Sequence, residues 1–543
     1  MTRAKPARAD GAKGTVACGH EETAAAASEI LAEGGNAFDA ALAAMCAACV
    51  VEPVFCSLGG GGFLLASPAG GEALTYDFFV ETPCRRRAAS EIDFYPILAD
   101  FGTAKQEFHI GLGAIATPGV IKGLFEVHAD LGSLPMTRLV EPAVRLAREG
   151  WRLRPIDHFV FRVVGPILIA REDSRGAYTR PDGDLLHEGD VMRQPDLAGC
   201  LEALAREGAD LFYAGELGQA MITACRDGGG HLTPEDLARY RVERRQPLVR
   251  DYRGARILTN PPPSSGGILI AFALEMLGQG APAPLGFGSS DHLAFLTQVM
   301  ALTNRARIES RLHEALDEAA EVGEVEGASA AARLFDPALL RRYAEQVRGH
   351  PACTRGTTHI SVIDAQDNLA ALSLSNGEGC GHVLPGSGIM PNNMLGEEDL
   401  NVAGFNAWRE GTRMASMMAP TLAFFADGGV AALGSGGSNR IRTAILQVLS
   451  NLIDFAQPAA EAVAAPRIHF ENGLLNIEGG YPEGSNHAVA ALVGEVCDQI
   501  MVWPEHNLFF GGVHAATRDA DGAFAAGGDP RRGGATAITC AIT

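Results

Sequence analysis

The chain has 543 residues, too many for one ordinary core, and its apolar fraction of 47% is that of a globular protein. Its formal net charge of −21 gives a surface that repels phosphate backbones, and no basic stripe counters it, so nucleic acid is not expected as a partner. No run approaches the roughly 20 consecutive apolar residues of a membrane span. Met1 to His20 carries positive charge with no apolar segment behind it, so neither a leader nor a membrane partner is expected and the default location is cytoplasmic.

Lys5, Lys13, Lys105 and Lys122 are the only lysines, which leaves few candidates for Schiff-base or Ser-Lys chemistry. The positive charge is mostly arginine, suited to holding carboxylates. Eleven scattered cysteines are expected to be reduced. Cys46 and Cys49 form a C-x-x-C inside an Ala-rich helical run, but with no second pair and no flanking His they read as helix packing. No metal and no cofactor are expected.

In chain order, Glu21 to Ala32 reads as a helix, and Gly34-Gly35-Asn36 supplies a stop and then an N-cap. A strongly apolar helix follows to Val50, ended by Glu52-Pro53. Gly59 to Gly62 then leads into a buried strand, Phe63-Leu64-Leu65. Leu131 to Gly150 is helical, Pro261 to Gly267 is a rigid turn, and Ile268 to Leu277 is an apolar helix. Arg307 to Val347 is charged and helical, and Arg348 to Gly356 reads as an exposed connector.

Beyond residue 356 the texture turns to strand. Thr358, Ile360 and Val362 alternate with His359, Ser361 and Ile363 at period two, Asp364 to Asn368 is a turn, and Leu369 to Ser375 returns as the second strand of a hairpin. Ala423 to Leu433 repeats strand–turn–strand around Asp427-Gly428-Gly429.

The boundary at 356 carries the chemistry. A threonine hydroxyl is a poor nucleophile unless a base takes its proton, and at a chain terminus its own α-amine can be that base. The reference pKa of that amine, about 7.7–8.0, makes the base form available near neutral pH. An internal Thr reaches this state only by cleavage of the bond before it. Gly356 tolerates the unusual dihedrals that an acyl shift onto the Thr357 hydroxyl requires. Cleavage between Gly356 and Thr357 would set Thr357 at the head of a strand as the nucleophile of an N-terminal-nucleophile (Ntn) hydrolase.

A set of motifs in fixed order resembles the gamma-glutamyltranspeptidase family over nearly the whole chain. They are Gly34 to Ala41, Val51-Glu52-Pro53, Gly59 to Gly62, Ala116-Thr117-Pro118-Gly119, Pro261 to Gly267 and Gly356-Thr357-Thr358-His359. Gly388-Ile389 with Asn392-Asn393, Met414 to Thr421, Gly434 to Arg440 and Ala465-Pro466-Arg467 complete the set. The resemblance implies an α+β fold, a four-layer αββα sandwich formed jointly by two products of self-cleavage. These would be a helix-rich large subunit, 1–356, and a small subunit, 357–543, which associate and admit a dimer of such heterodimers. It also implies transfer of an acyl group from a small-molecule amide to water or an amine through an acyl-threonine.

Carried over by residue, the resemblance makes Thr357 the nucleophile and Ser375 the second hydroxyl beside it. Gly436 and Gly437 become the oxyanion loop, whose N–H groups would stabilise a tetrahedral oxyanion. Glu397, Ser416, Phe79, Met394 and Asn376 become the substrate-binding set. Several positions depart from the family pattern. Its Asp-Phe-Arg, whose arginine clamps a glutamyl α-carboxylate, reads Asp77-Phe78-Phe79 here, and a phenyl ring cannot make that ion pair. Glu397 is one methylene longer than the family's acid, Met394 replaces a polar neighbour, Gly377 replaces an Asn, and Ala415 has lost a serine that Ser416 keeps. Arg85, Arg86 and Arg87 could substitute for the lost arginine but read as a solvated surface run.

The expectation is therefore an autoprocessing hydrolase or acyltransferase acting on a γ-glutamyl or similar amide. The alternative is a non-glutamyl amidohydrolase like the cephalosporin-acylase or oxamate-hydrolase relatives. A nucleotide-binding reading of Gly111 to Ala116 fails because Pro118-Gly119 stands where a helix must follow. His359 is expected to be packed or hydrogen-bonded, Asn392 and Asn393 to form turns or line the pocket, and Arg440 and Arg467 to sit in structural ion pairs.

Overall fold

The computed structural model describes residues 11–100, 105–309, 356–401, 404–494 and 496–540. The expected helix beyond Glu309 and the connector up to residue 355 lie outside these residues.

Two antiparallel sheets organise the molecule. The first runs Ala535–Cys540, Ala12–Cys18, Thr358–Asp364, Leu369–Ser375, Gly61–Ser67, Leu74–Phe78 and Glu243–Arg245. The second runs Phe524–Gly527, Gly512–Arg518, Val430–Gly436, Thr421–Phe424, Ala255–Thr259 and Leu248–Tyr252. Both sheets draw strands from each side of residue 356. They meet where Thr358–Asp364 packs against Val430–Gly436 and Gly512–Arg518. Helices Glu21–Ala32 and Ala37–Val51 pack on the first sheet, while Ser265–Gly278, Arg440–Ile453 and Ala459–Ala464 lie against the second.

The local signals read from sequence explain the elements near the junction. Asn36 caps Ala37–Val51 as expected: its side chain accepts from Phe38 N and Asp39 N, and Asp39 returns a bond to Asn36 N. All fifteen residues of this helix are buried, because it lies between the first sheet and its neighbouring helices. Cys46 and Cys49 are buried, unpaired thiols within it. The hairpin pairs Thr358 with Leu374 through Ile363 with Leu369. Its turn is closed by Asp364, which accepts from Gln366 N and Asn368 N.

The period-two pattern of Thr358–Asp364 separates two interiors rather than core from solvent. Every residue of the strand is buried. Ile360 and Val362 face the helices, whereas His359 and Ser361 face the second sheet. There His359 bonds the Ser373 and Ser361 hydroxyls, and Ser361 donates to His514 O. Polar residues survive between the sheets because each finds a partner. Among the described residues no helix is long and apolar enough to cross a membrane, and no cluster of side chains could hold a metal.

Asp39 joins the cap to a neighbouring turn by accepting from Ser133 N at 2.9 Å and from the Ser133 hydroxyl. Replacing Asp39 with Ala removes these bonds and the cap they complete, so the urea midpoint should fall by an amount equivalent to about 1–2 kcal/mol. A shift under about 0.5 kcal/mol would show that the cap contributes nothing.

Candidate active site

Thr357 is the residue immediately before the central strand of the first sheet, and only 5% of it is exposed. Its hydroxyl donates to Gly356 O at 2.7 Å. Ser375, the last residue of the paired strand, donates its hydroxyl to the same oxygen at 2.9 Å and accepts from Gly377 N at 3.2 Å. The expected partner of Ser375 was the Thr357 hydroxyl itself. In the uncut chain the Gly356 carbonyl stands between the two hydroxyls and takes both bonds, which polarises it. Gly356 N donates to the buried carboxylate of Glu378 at 3.0 Å. Nothing in the sequence singled out Glu378; only the packing of the loop after Ser375 reveals it.

The strand is fixed at both ends by the helix Ala37–Val51. The Asp364 carboxylate accepts from Ala37 N at 2.8 Å, at the helix N-terminus where negative charge is favoured. At the other end Glu52 accepts from the Thr358 hydroxyl at 2.7 Å and from the Thr23 hydroxyl at 3.2 Å. Burial pushes the Glu52 carboxyl up, against these two bonds and the charge of Arg154, which lower it.

The glycine loop lies against the carbonyl of Thr357. Gly436 ends its strand so close that a Cβ there would stand 2.0 Å from Thr357 O. Gly437 has φ of 120°, and Ser438 follows with φ of 51°, a left-handed conformation that a serine rarely adopts. Ser438 lines the cavity in front of Thr357, while its hydroxyl donates to Asp399 at 2.7 Å. Sequence reasoning named Gly436 and Gly437. The structure adds Ser438, whose strained backbone places it in the turn with Gly437.

That cavity has a volume of about 220 Å³ and brings together Gly356, Thr357, Ser375, Phe79, Met394, Glu397 and Ser416. Asn376 is not among the lining residues: its amide is buried and donates to Met390 O. Met414, Met417 and Met418 add to an apolar wall that also holds Trp408. Phe79 is 1% exposed and stacks on Phe63, with ring centroids 5.5 Å apart.

Asp77, two residues earlier, is fully buried and paired to Arg413 at 2.7 Å and Arg245 at 2.9 Å. Burial pushes the Asp77 carboxyl up, but the two arginines outweigh it and hold it below the ordinary carboxylate range. Arg413 borders the cavity yet is bonded to Asp77, to Glu81 at 2.8 Å and to Arg241 O, over the Tyr240 ring. It is therefore committed to these partners rather than turned to the cavity.

Two departures from the family pattern, at 377 and 397, are neighbours in the structure. Gly377 has φ of 61°, and a Cβ there would stand 2.1 Å from Asn393 Oδ1 and 2.3 Å from Glu397 Oε1. The longer acid occupies the space that a side chain at 377 would need. Asn392 bonds Gly59 O, Ala116 O and Ala116 N, and Asn393 accepts from Glu378 N, so this pair pins loops together. Arg85, Arg86 and Arg87 do not line the cavity; Arg85 is exposed beside Glu235, and Arg86 lies over the Trp408 ring. Burial holds His359 well below its ordinary pKa, and His514 down to about 4, so both are neutral spacers between the sheets.

Behind the glycine loop lies a buried ion network. Arg467 pairs with Asp529 at 2.7 Å, and Arg531 bridges Asp529 at 3.1 Å and Glu478 at 2.5 Å. Burial pushes Asp529 up, and the Arg467 and Arg531 charges more than reverse this, leaving it at about 2. Arg440 lies over the Phe509 ring.

Comparison with known proteins agrees with this geometry. The acylase ACY 1 proenzyme of Pseudomonas sp. (strain SE83) is 33% identical over 502 residues, covering 89% of this chain and 87% of the relative. The glutathione hydrolase proenzyme of Escherichia coli (strain K12) is 30% identical over 523 residues, again with 89% and 87% covered. The solved cephalosporin acylase from Bacillus halodurans superposes with a TM-score of 0.81 at 24% identity, over 99% of this chain and 98% of that one. The family model of gamma-glutamyltranspeptidase matches residues 23–539. The chain belongs to the gamma-glutamyltranspeptidase family, as an Ntn amidohydrolase.

Proposed function

We propose that this protein matures by cutting its own Gly356–Thr357 bond and then hydrolyses an amide through an acyl-Thr357 intermediate. The observation that carries this reading is the convergence of two hydroxyls, Thr357 and Ser375, on the carbonyl of Gly356. In maturation the Thr357 oxygen attacks the Gly356 carbonyl carbon and loses its proton. The C–N bond then breaks and its nitrogen takes a proton, leaving an ester. Water hydrolyses the ester to a Gly356 carboxylate and a free Thr357 amine. Ser375 donates to the carbonyl oxygen as negative charge gathers on it, and Glu378 holds the Gly356 N–H so that the carbonyl cannot swing away.

In turnover the new amine takes the hydroxyl proton, Thr357 attacks the substrate amide, and the leaving amine departs protonated. The loop Gly436-Gly437-Ser438 is the oxyanion site on this reading, with Glu397, Ser416, Phe79 and Met394 around the acyl group. The two products, 1–356 and 357–543, remain associated as layers of an αββα sandwich. The helices on the outer faces of the two sheets support that arrangement.

For the substrate, the non-glutamyl acylase reading is favoured over the glutamyl one. Phe79 presents a ring where a glutamyl α-carboxylate needs a guanidinium, and Arg413 is bonded to Asp77 and Glu81. Similarity to an acylase proenzyme supports the same choice, while similarity to glutathione hydrolase proenzymes keeps the glutamyl reading as the second.

Three outcomes follow from these assignments. Thr357→Ala should remain one chain by intact-mass analysis and have no activity, while Thr357→Ser should retain part of both functions; a split Thr357→Ala protein sinks the mechanism. Gly436→Ala drives a methyl into the Thr357 carbonyl, so maturation followed on gels should slow about 100-fold. Maturation at the parent rate would show that Gly436 does not set the position of Thr357. On a panel of anilides, simple N-acyl compounds should turn over at least about tenfold faster than γ-glutamyl ones. A preference for the γ-glutamyl compounds would reverse the substrate assignment.

A further inference from the structure

We propose that Arg532 is a positioning residue for the α-amine of Thr357. Anchored on the Thr357 carbonyl, its guanidinium keeps the freed amine in its unprotonated, base form. This rests on the self-cleavage proposed above, which creates the amine. Arg532 is only 5% exposed and donates from Nη1 to Thr357 O at 3.2 Å. Its plane lies under the glycine loop: a Cβ on Gly436 would stand 3.1 Å from Nη1, and one on Gly437 3.3 Å from Nη2. The guanidinium sits over the Phe55 ring, 5.2 Å from its centroid. Among the described residues, Arg532 Nε is buried without a hydrogen-bond partner.

The neighbouring charges do not neutralise it. From the C-terminal turn, Asp529 is paired with Arg467 and Arg531, and Arg531 also takes Glu478. From the end of the helix Ala37–Val51, Glu52 is tied to Thr358 and Thr23, and burial pushes its carboxyl toward the neutral form. Arg154 and Arg440 add further positive charge nearby. His359 and His514 are neutral. Acids reach the site from its other sides: Glu378 binds Gly356 N, while Glu397 and Asp399 stand across the cavity. Burial lowers Arg532 to about 10, which leaves it charged at neutral pH. The amine and the carbonyl of Thr357 share one Cα, so a cation held on the carbonyl acts on the amine at close range. It disfavours an ammonium there, lowering the midpoint of the amine by about one to two pH units.

The sequence supplies a clean probe. All four lysines precede residue 123, so the amine of Thr357 is the only primary amine in the 357–543 chain. Cyanate reacts with the neutral form of an amine. Cyanate also adds to thiols, and Cys380, Cys497 and Cys540 lie in the same chain. Addition is therefore read on the N-terminal peptide of that chain in the matured protein, by mass from about pH 5 to about pH 9, where it titrates Thr357.

The midpoint in the parent protein should lie clearly below the ordinary range of about 7.7–8.0. Arg532→Gln, which can still donate to the carbonyl but carries no charge, should raise it by about one unit or more, and Arg532→Lys should stay near the parent. A parent midpoint at or above about 8 overturns the proposal whatever the variants do, and so does a Gln midpoint equal to the parent's. A parent protein that yields no chain beginning at Thr357 instead refutes the self-cleavage on which the inference rests.

Discussion

The helix Ala37–Val51 holds Thr357 in place by gripping the strand behind it at both ends. Asp364 closes the far end against the first N–H of the helix, and Glu52 closes the near end on the hydroxyl of Thr358. Each is a hydrogen bond to a buried carboxyl group, worth about 1 kcal/mol net and costly to leave unmade. The strand cannot slide, because a one-residue slip would exchange its two buried faces. The Gly356 carbonyl, the two hydroxyls on it and the glycine loop against Thr357 all inherit their positions from this clamp. Glu52 stands where a helix dipole and burial both disfavour a carboxylate, and its cost is offset by the register it secures.

On the proposed function, the cavity combines retained hydroxyls with an altered lining. Thr357 and Ser375 keep their hydroxyls, while Phe79, Met394 and Glu397 in the same cavity depart from the family pattern. Glu397 and Asn393 together fill the space beside Gly377 that a side chain there would enter. Phe79 does not leave an orphaned aspartate behind, because Asp77 is satisfied by Arg413 and Arg245. The cavity wall is left to methionines and rings that adapt to apolar groups.

Features that depend on neighbours in sequence were legible from sequence. The Asn36 cap, the turn closed by Asp364 and the hairpin ending at Ser375 follow from residue type and spacing, and the motif at 356–359 pointed to Thr357, which the fold sets beside the cavity. Features that depend on distant segments were not legible. Glu378 and Arg532 carry no local pattern, and each matters only because the fold delivers it to Gly356 or Thr357. The strain at Ser438 has no signature in a run of small residues. The period-two strand was read correctly as alternating, but its polar face proved to look at a second sheet, which periodicity alone cannot distinguish from solvent.

The first sheet interleaves segments from either side of residue 356. Thr358–Asp364 and Leu369–Ser375 lie between Ala12–Cys18 and Gly61–Ser67, and Ala535–Cys540 pairs with the outer side of Ala12–Cys18. Three ladders of that sheet therefore join segments that a cut at 356 would place on separate chains. While the chain is whole, forming them is an intramolecular search. After a cut, the same ladders could be rebuilt only by encounter of two molecules, each with open strand edges prone to pairing wrongly. On the proposed maturation, the whole chain would in this sense be the template on which the mature protein is folded. A cut form would owe its persistence to the slowness of its unfolding rather than to ready return from the unfolded state.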